Sequence, residues 1–330
     1  MKVKKLIPII ASTMATIAAL GVTTKVAASD FPAKPVKIIV PFAPGGTTDI
    51  VGRLIADKLS QSLGQPFIVE NRAGAGGAIG TDAIAKAPAD GYVLGISTLS
   101  SLAVNPACNP KLSYDPLKDF SYITNVAGVP NVVTVNPNKI PAKNFDDMLR
   151  LIKSNPGKYT YATSGACGIG HMMGELFQES TKSSLNHIPY RGAGPALTDV
   201  LGGQVDMMFD NLPSSVPHIQ GGKLKAIAIA APKRVALFPD VPTFAEVGHP
   251  LVNEQASYGL IGPANLPAEV VKKLNDAIVK MLSQSDVKAK LDSQGASGIG
   301  NAPAEFRKQI ETEYVKMKNI VKTKNINFMD

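Results

Sequence analysis

The stretch from residue 41 to residue 49, Pro-Phe-Ala-Pro-Gly-Gly-Thr-Thr-Asp, has the composition of an anion-binding loop. It follows a strand-like apolar run, Val36–Val40, and precedes a segment with helical apolar spacing that starts near Asp49. A Gly-Gly turn that leads into a helix start leaves backbone N–H groups without partners, and the helix dipole makes that end partly positive. The stretch holds no nucleophile with a base and no set of metal ligands. It therefore predicts a binding site for an anion rather than a reaction centre.

Three further loops each follow the end of a strand-like run. Ligands of open α/β sheets sit beyond the carboxyl ends of the strands, so loops of this kind are candidates to face one cleft. A single Gly-rich turn is weak support for a site, and the prediction rests on finding four such loops together. The three loops are Thr163–Gly170, Tyr190–Ala196 and Phe209–Pro213.

The polar side chains of these loops have more than one interpretation. Arg191 could pair with a ligand carboxylate, or it could form a salt bridge to Asp210 or Asp49. Asp210 could accept from a ligand hydroxyl or amine, or from loop N–H groups, whereas Asp49 suits the first turn of a helix. Thr47 and Thr48 have the side chains of helix N-caps, so we expect their hydroxyls to bond to helix N–H groups.

A catalytic alternative rests on Cys167 or Ser164 with His171, which would make the chain a secreted hydrolase. No recognisable orienting acid accompanies these residues, and a disulfide or a buried thiol is the simpler interpretation of Cys167. The G-x-S-x-G, Walker A and dinucleotide-binding patterns are absent, and the four histidines lack metal-ligand spacing. The sequence therefore predicts no enzyme activity, no cofactor and no metal.

After residue 28 the chain alternates strand-like and helix-like segments, which indicates an α/β fold with mainly parallel sheets. An arrangement that accounts for this order has two doubly wound domains joined by crossover strands near Phe120–Val135 and Leu224–Pro232. The expected domains are residues 29–125 with 231–330, and residues 126–230, with a hinged cleft between them. The alternative is one large sheet.

The first 28 residues have the features of a secretory signal peptide. Lys2, Lys4 and Lys5 precede the uncharged apolar run Leu6–Val22, and small residues allow cleavage after Ala28. A membrane anchor is the alternative interpretation. The prediction is an exported, periplasmic protein.

Removal of this segment changes the charge argument. Its four lysines reduce 34 Lys+Arg to 30 against 26 Asp+Glu, so the formal charge falls from +8 to +4. That charge, the 6% aromatic content and the absence of Trp argue against a nucleic-acid partner. Cys108 and Cys167 are the two cysteines, and an oxidising compartment permits one disulfide between them.

Several motifs match one known family in content and order. They are Phe-Pro-Ala-Lys-Pro at 31–35, Ile-Ile-Val-Pro-Phe-Ala-Pro-Gly-Gly-Thr-Thr-Asp at 38–49, Val-Glu-Asn-Arg-Ala-Gly-Ala-Gly-Gly at 69–77, Ala-Asp-Gly-Tyr at 89–92, Pro-Tyr-Arg-Gly at 189–192 with Pro-Ala at 195–196, Gly-Gly-Gln-Val-Asp at 202–206 and Phe-Asp-Asn-Leu-Pro at 209–213. With them the chain resembles the Bug-type periplasmic solute-binding proteins of tripartite tricarboxylate transporters, also called the TctC family. The resemblance implies a type II periplasmic-binding-protein fold that closes on a di- or tricarboxylate, an aromatic carboxylate or an acidic amino acid. It also implies membrane transporter subunits as partners, with a sensor kinase as the alternative partner, and we expect a monomer.

In this family, the loops that match 42–49, 164–168 and 191–195 hold the ligand carboxylate, largely through main-chain N–H groups and ordered waters. Cys167 departs from many relatives, which have a small or polar residue there, and this leaves the fine shape of that loop open. The expected ligand-binding residues are Phe42, Ala43, Gly45, Gly46, Thr47, Asp49, Ser164, Gly165, Ala166, Arg191, Gly192, Ala193, Gly194 and Asp210.

Overall fold

The computed structural model describes residues 31–324, 326 and 328, and the predicted signal peptide lies outside them. Within this part of the chain the strands are β1 (Val36–Val40), β2 (Phe67–Asn71), β3 (Val93–Thr98), β4 (Phe120–Val129), β5 (Asn131–Val135), β6 (Thr160–Thr163), β7 (Asn186–Pro189), β8 (Met207–Asn211), β9 (Lys225–Ala230), β10 (Ala256–Pro263) and β11 (Ser297–Gly298). The helices are α1 (Thr47–Leu63), α2 (Ala78–Ala85), α3 (Asn105–Cys108), α4 (Phe145–Lys153), α5 (Ile169–Thr181), α6 (Ala193–Leu201), α7 (Leu212–Gln220), α8 (Ala268–Leu282), α9 (Ser285–Asp292) and α10 (Pro303–Lys324).

The first lobe is built on a six-stranded sheet with the order β11-β4-β10-β3-β1-β2. β1 pairs in parallel with β2 and β3, whereas β10 lies antiparallel between β3 and β4. Val36, Ile38 and Val40 of β1 are fully buried, as expected of an inner strand of a sheet that helices cover. Ile55 of α1 and Leu274 of α8 belong to the same apolar cluster, so both helices pack on this sheet.

The second lobe has a five-stranded sheet with the order β7-β6-β8-β5-β9. β6 is parallel to β7 and β8, and β5 is antiparallel to β8 and β9. Phe145 of α4, Phe177 of α5 and Phe209 of β8 share its core. The alternative of one large sheet is therefore wrong, and each sheet mixes parallel and antiparallel strands.

Two connections join the lobes. β4 and β5 are separated only by Pro130, so one extended run passes from the first sheet to the second, as predicted. The return differs from the prediction near Leu224–Pro232, because β9 pairs fully with β5 in the second sheet and the chain re-enters the first sheet only at Ala256. The C-terminal helix also contacts both lobes: Phe306 packs with the first, and Met317 with the core of the second.

β10 and α7 are elements that the sequence did not predict. Gly259 and Pro263 dilute the strand signal of β10, but a Cβ at Gly259 would lie 2.2 Å from the ring of Phe306. The close packing of α10 therefore requires a glycine in this central strand. In α7, Pro213 and Pro217 hide the helical pattern, although Pro213 stands in the first turn, where proline is tolerated. None of the described helices has the length and apolar character needed to cross a membrane.

Candidate functional site

The loop after β1 carries the start of α1 to the junction of the lobes. Gly46 is the N-cap and makes no side-chain cap bond, so the helix begins at Thr47, before the expected Asp49. The threonine side chains therefore do not cap the helix, contrary to expectation. Within the described residues the N–H groups of Gly46, Thr47 and Thr48 have no protein acceptor, which leaves three adjacent donors at a helix start.

Asp49 holds this loop in shape. Its Oδ2 accepts from the Gly45 N–H at 3.2 Å and from Arg53 Nε at 2.9 Å, and its Oδ1 accepts from Asn71 Nδ2 at 2.9 Å. Burial works to raise the pKa of Asp49, but the hydrogen bonds from Arg53 and Asn71 outweigh it and hold the pKa below its ordinary value. The Asp49 carboxylate thus accepts the hydrogen bond of the Gly45 N–H, as the predicted structural role in the first helical turn requires.

The loop before α6 meets the first loop across the junction. The Ala43 N–H donates to the Arg191 carbonyl at 3.0 Å, and α6 begins at Ala193 after its N-cap, Gly192. A Cβ at Gly46 would lie 3.0 Å from the Cβ of Ala193. The starts of α1 and α6 therefore face each other across the lobes, and their partial positive charges act on the same space.

Glycines make this approach possible. Gly192 has φ +158°, and a Cβ there would lie 2.7 Å from the Ala43 nitrogen. A Cβ at Gly194 would lie 2.1 Å from the Pro44 carbonyl oxygen. These two predicted site residues act by leaving room for the opposite lobe.

The loop between β6 and α5 also touches the first lobe. A Cβ at Gly165 would lie 2.8 Å from the Gly76 Cα, and a Cβ at Gly76 would lie 2.2 Å from the Ala166 carbonyl oxygen. At the start of α5, the Ile169 N–H donates to Ser100 Oγ at 3.0 Å. The loops before α5 and α6 therefore both contact the first lobe, in agreement with their positions at the ends of β6 and β7.

Cys108 and Cys167 form a disulfide with a Cα–Cα distance of 6.1 Å. Cys108 ends α3, between β3 and β4 of the first sheet, so the bond ties that segment to the ligand loop of the second lobe. The sulfur of Cys167 is therefore not available as a thiolate. Burial lowers the pKa of His171 to about 4, and no hydrogen bond joins Ser164 to His171 in the described part of the chain. The hydrolase alternative thus lacks an activated nucleophile in this arrangement.

Arg191 and Asp210, two of the three charged residues in the expected ligand-binding set, have different surroundings. The side chain of Arg191 is exposed, and neither expected salt bridge to Asp49 or Asp210 occurs among the described residues. Asp210 Oδ2 accepts from Ser214 Oγ at 2.8 Å and Ser215 Oγ at 2.7 Å, and its buried Oδ1 has no partner in the described structure. Burial raises the pKa of Asp210 to about 6, against the lowering effect of the two serine hydroxyls.

A small cavity lies where the loops meet. About 10 Å³ of it is open to the centre of a water molecule, which is room for about one water. Its lining includes five predicted residues and five that sequence reasoning missed. The predicted ones are Phe42, Gly46, Thr47, Ser164 and Ala193, and the others are Thr48, Thr98, Ser100, Asn211 and Tyr258.

Thr98 and Ser100 stand at the carboxyl end of β3, so the strand-end rule applied to that strand would have found them. Asn211 ends β8 within the candidate loop Phe209–Pro213, but it was not among the expected ligand-binding residues. Tyr258 lies on the unpredicted β10. Within the described residues the cavity is lined by hydroxyls, an amide and backbone N–H groups and by no cation. Such a site can hold a carboxylate through neutral donors and two helix starts.

A larger groove, of about 640 Å³, lies at the hinge and is open to solvent. Its walls come from Pro130, residues 231–237, Gln255, Asp292 and residues 295–297 rather than from the loops that follow β1, β6 and β7. Size alone would favour it as a ligand site. We place the site at the loop junction instead, because the helix starts and unpaired N–H groups lie there.

Comparison with known proteins gives consistent matches. The family model described as "Tripartite tricarboxylate transporter family receptor" (TctC) matches residues 51–326. Protein BugT of Bordetella pertussis is 38% identical over 307 residues, covering 93% of this chain and 94% of that protein. A solved structure of a periplasmic transporter is 52% identical with a TM-score of 0.89, covering 90% and 99% of the two chains. The structure of R. palustris Rpa4515 with adipate is 33% identical with a TM-score of 0.86, covering 89% and 98%.

Proposed function

The chain belongs to the tripartite tricarboxylate transporter receptor family, and from that premise we propose that it is a periplasmic receptor that closes its two lobes on a small organic carboxylate. One observation carries the proposal: the starts of α1 and α6 meet across the lobes, with unpaired N–H groups of Gly46, Thr47 and Thr48 beside them. A carboxylate is small, planar and able to accept from several such donors at once.

The ligand class follows from the site and the relative. The cavity has neutral donors and no lining cation in the described chain, so it recognises a carboxylate by hydrogen bonds and helix starts. Rpa4515, which was solved with adipate, favours a dicarboxylate within the wider set of tricarboxylates, aromatic carboxylates and acidic amino acids. A ligand enters when the lobes separate, because the closed junction has room for about one water.

The remaining parts of the proposal concern delivery. The signal peptide is cleaved near Ala28, the receptor acts as a monomer in the periplasm, and it delivers the carboxylate to integral-membrane transporter subunits. We expect no catalytic turnover, because the sulfur of Cys167 is bonded to Cys108 and His171 has no nucleophile to activate.

A thermal-shift panel of carboxylates tests the proposal. A ligand at about 100 times its Kd adds about 2.7 kcal/mol to the free energy of unfolding, which raises Tm by several degrees. Gly46→Asp should abolish the shift, because it places a negative charge and a side chain between the helix starts. Ser62→Asp adds the same charge at the exposed far end of α1 and should keep the shift. A panel without any shift would overturn the proposal.

A further inference from the structure

We propose that the hydroxyls of Thr47 and Ser214 form a latch that holds the lobes together over the ligand. The latch rests on the proposed receptor function and names two residues that position the closed state. Thr47 is the first residue of α1 in the first lobe, and Ser214 stands in the first turn of α7 in the second. Their oxygens are 3.0 Å apart, and the Ser214 N–H donates to Thr47 Oγ1 at 3.2 Å.

The oxygen positions alone allow either hydroxyl to donate, and the contacts within the second lobe favour donation by Thr47. The single proton of Ser214 Oγ has two acceptors within that lobe, Asp210 Oδ2 at 2.8 Å and the Asn211 carbonyl at 2.9 Å. In either case the oxygen of Ser214 is left to accept. The Thr47 hydroxyl therefore donates across the junction to Ser214, with the Asn211 carbonyl at 3.4 Å as its only other close acceptor in the described structure.

Burial makes this contact sensitive to lobe separation. Thr47 is 2% exposed, Ser214 3% and Asp210 4%, so the chain of hydrogen bonds runs through a region without bulk water. When the lobes separate, water replaces the bond between Thr47 and Ser214. A closed form that lacks one hydroxyl loses this hydrogen bond across the junction, whereas the open form has already exchanged it for bonds to water.

Thr47 also lines the ligand cavity, and its N–H is one of the three unpaired donors of α1. One residue thus presents its main chain to the ligand and its side chain to the opposite lobe. This geometry couples ligand binding to closure, because a ligand that orders the start of α1 also orders the latch.

Ser215 provides a matched control within the same turn. It donates to Asp210 Oδ2 at 2.7 Å, as Ser214 does, but it makes no hydrogen bond to the first lobe in the described residues. Removing either hydroxyl takes one donor from Asp210. Only the Ser214 substitution removes the contact across the junction.

The test is a double-mutant cycle on the carboxylate that gives the largest thermal shift, measured by titration and stopped flow. Thr47→Val and Ser214→Ala should each weaken affinity about tenfold, mainly through faster dissociation, and the double variant should be no weaker than either single one. Thr47→Ser keeps the hydroxyl and should bind more tightly than Thr47→Val. Ser215→Ala should combine additively with Thr47→Val. Additive losses for Thr47 and Ser214, or a Thr47→Ser variant as weak as Thr47→Val, would overturn the latch.

A distance measurement separates this result from the receptor function. Spin labels at Asp57→Cys on α1 and Thr198→Cys on α6, both exposed, report the separation of the lobes without any ligand. Thr47→Val should shift the distance distribution toward the open form, and Thr47→Ser should not. If no carboxylate binds the parent protein, the receptor function fails while this distance still tests the latch. Equal distributions in all three proteins would refute it.

Discussion

At the scale of single residues, the positions without side chains decide how closely the two helix starts approach. Gly46 has an ordinary extended backbone, with φ −89°. A glycine is therefore needed here because a side chain would approach Ala193, and not because the backbone conformation requires one. The facing Ala193 is nearly as small. Together they bring two partly positive helix ends to one point, and on the proposed function this gives a site without a lining cation in the described residues its attraction for an anion.

Gly46→Ala should weaken carboxylate binding severalfold without lowering the Tm of the ligand-free protein. The added Cβ would lie 3.0 Å from the Ala193 Cβ in the closed form, so the lobes must stay a few tenths of an ångström apart. Calorimetric titration measures the effect. Gly202→Ala, at an exposed helix end in the second lobe, is the control and should leave affinity unchanged. Equal affinities for parent and Gly46→Ala would show that closure does not bring these residues together.

Asp210 should make the protein less stable as the pH rises. Burial raises its pKa from 3.8 to about 6, so the folded state holds a proton that the unfolded state has lost between these values. Its contribution is present below about 3.8 and is lost as the pH rises through 6, a change of about 3 kcal/mol. Relative to the parent, Asp210→Asn should therefore gain several degrees of Tm more at pH 7.5 than at pH 4. The same difference in Tm at both pH values would contradict a buried, ionising carboxyl.

His171 should have the opposite dependence. Burial lowers its pKa from 6.5 to about 4, so its contribution to stability is present above 6.5 and is lost as the pH falls through 4. His171→Asn should therefore lose less stability than the parent between pH 6.5 and pH 4, measured by thermal unfolding. A parent-like fall over this range would mean that another group is responsible.

At the scale of elements, the sequence predicted the loops better than the strands between which they lie. The apolar spacing located β1, β3, β6 and β8, and the strand-end rule selected the loops after β1, β6, β7 and β8 as candidate ligand loops. The prediction failed at β10. The glycine at position 259 is required only because Phe306 of α10 packs against it, and that contact joins residues far apart in sequence. Tyr258 was missed with that strand, and Thr98 was missed because the loop after β3 was not among the four loops considered.

The disulfide is the element-scale device that fixes the loop between β6 and α5. It closes a loop with a sequence separation of 59, and loop-closure entropy gives such a bond about 4 kcal/mol of stabilisation. Cys108→Ser with Cys167→Ser should therefore lower Tm by several degrees and weaken carboxylate binding. A thiol reductant should lower the Tm of the parent and leave the double variant unchanged. If the Tm of the parent stays the same after thiol titration shows that the disulfide is fully reduced, this role is contradicted.

At the scale of the whole molecule, main-chain groups and hydroxyls of the two lobes meet at the loop junction, and the Cys108–Cys167 bond and α10 also connect the lobes. The charged groups near the junction are used inside their own lobes, Asp49 on its loop and Asp210 on the serines of α7. On the proposed function, we therefore expect ligand recognition at this junction to depend on closure, which brings donors from both lobes to one carboxylate. A neutral ligand of the same shape would lack the charge that the helix starts stabilise.

Calorimetric titration with a matched pair of ligands tests this claim most directly. The pair is the dicarboxylate that gives the largest thermal shift and its diamide, which has a similar shape and no charge. We expect saturable binding of one dicarboxylate per protein and no detectable binding of the diamide. Equal binding of the two ligands, or no heat from any carboxylate, would contradict a receptor that holds a carboxylate between two helix starts.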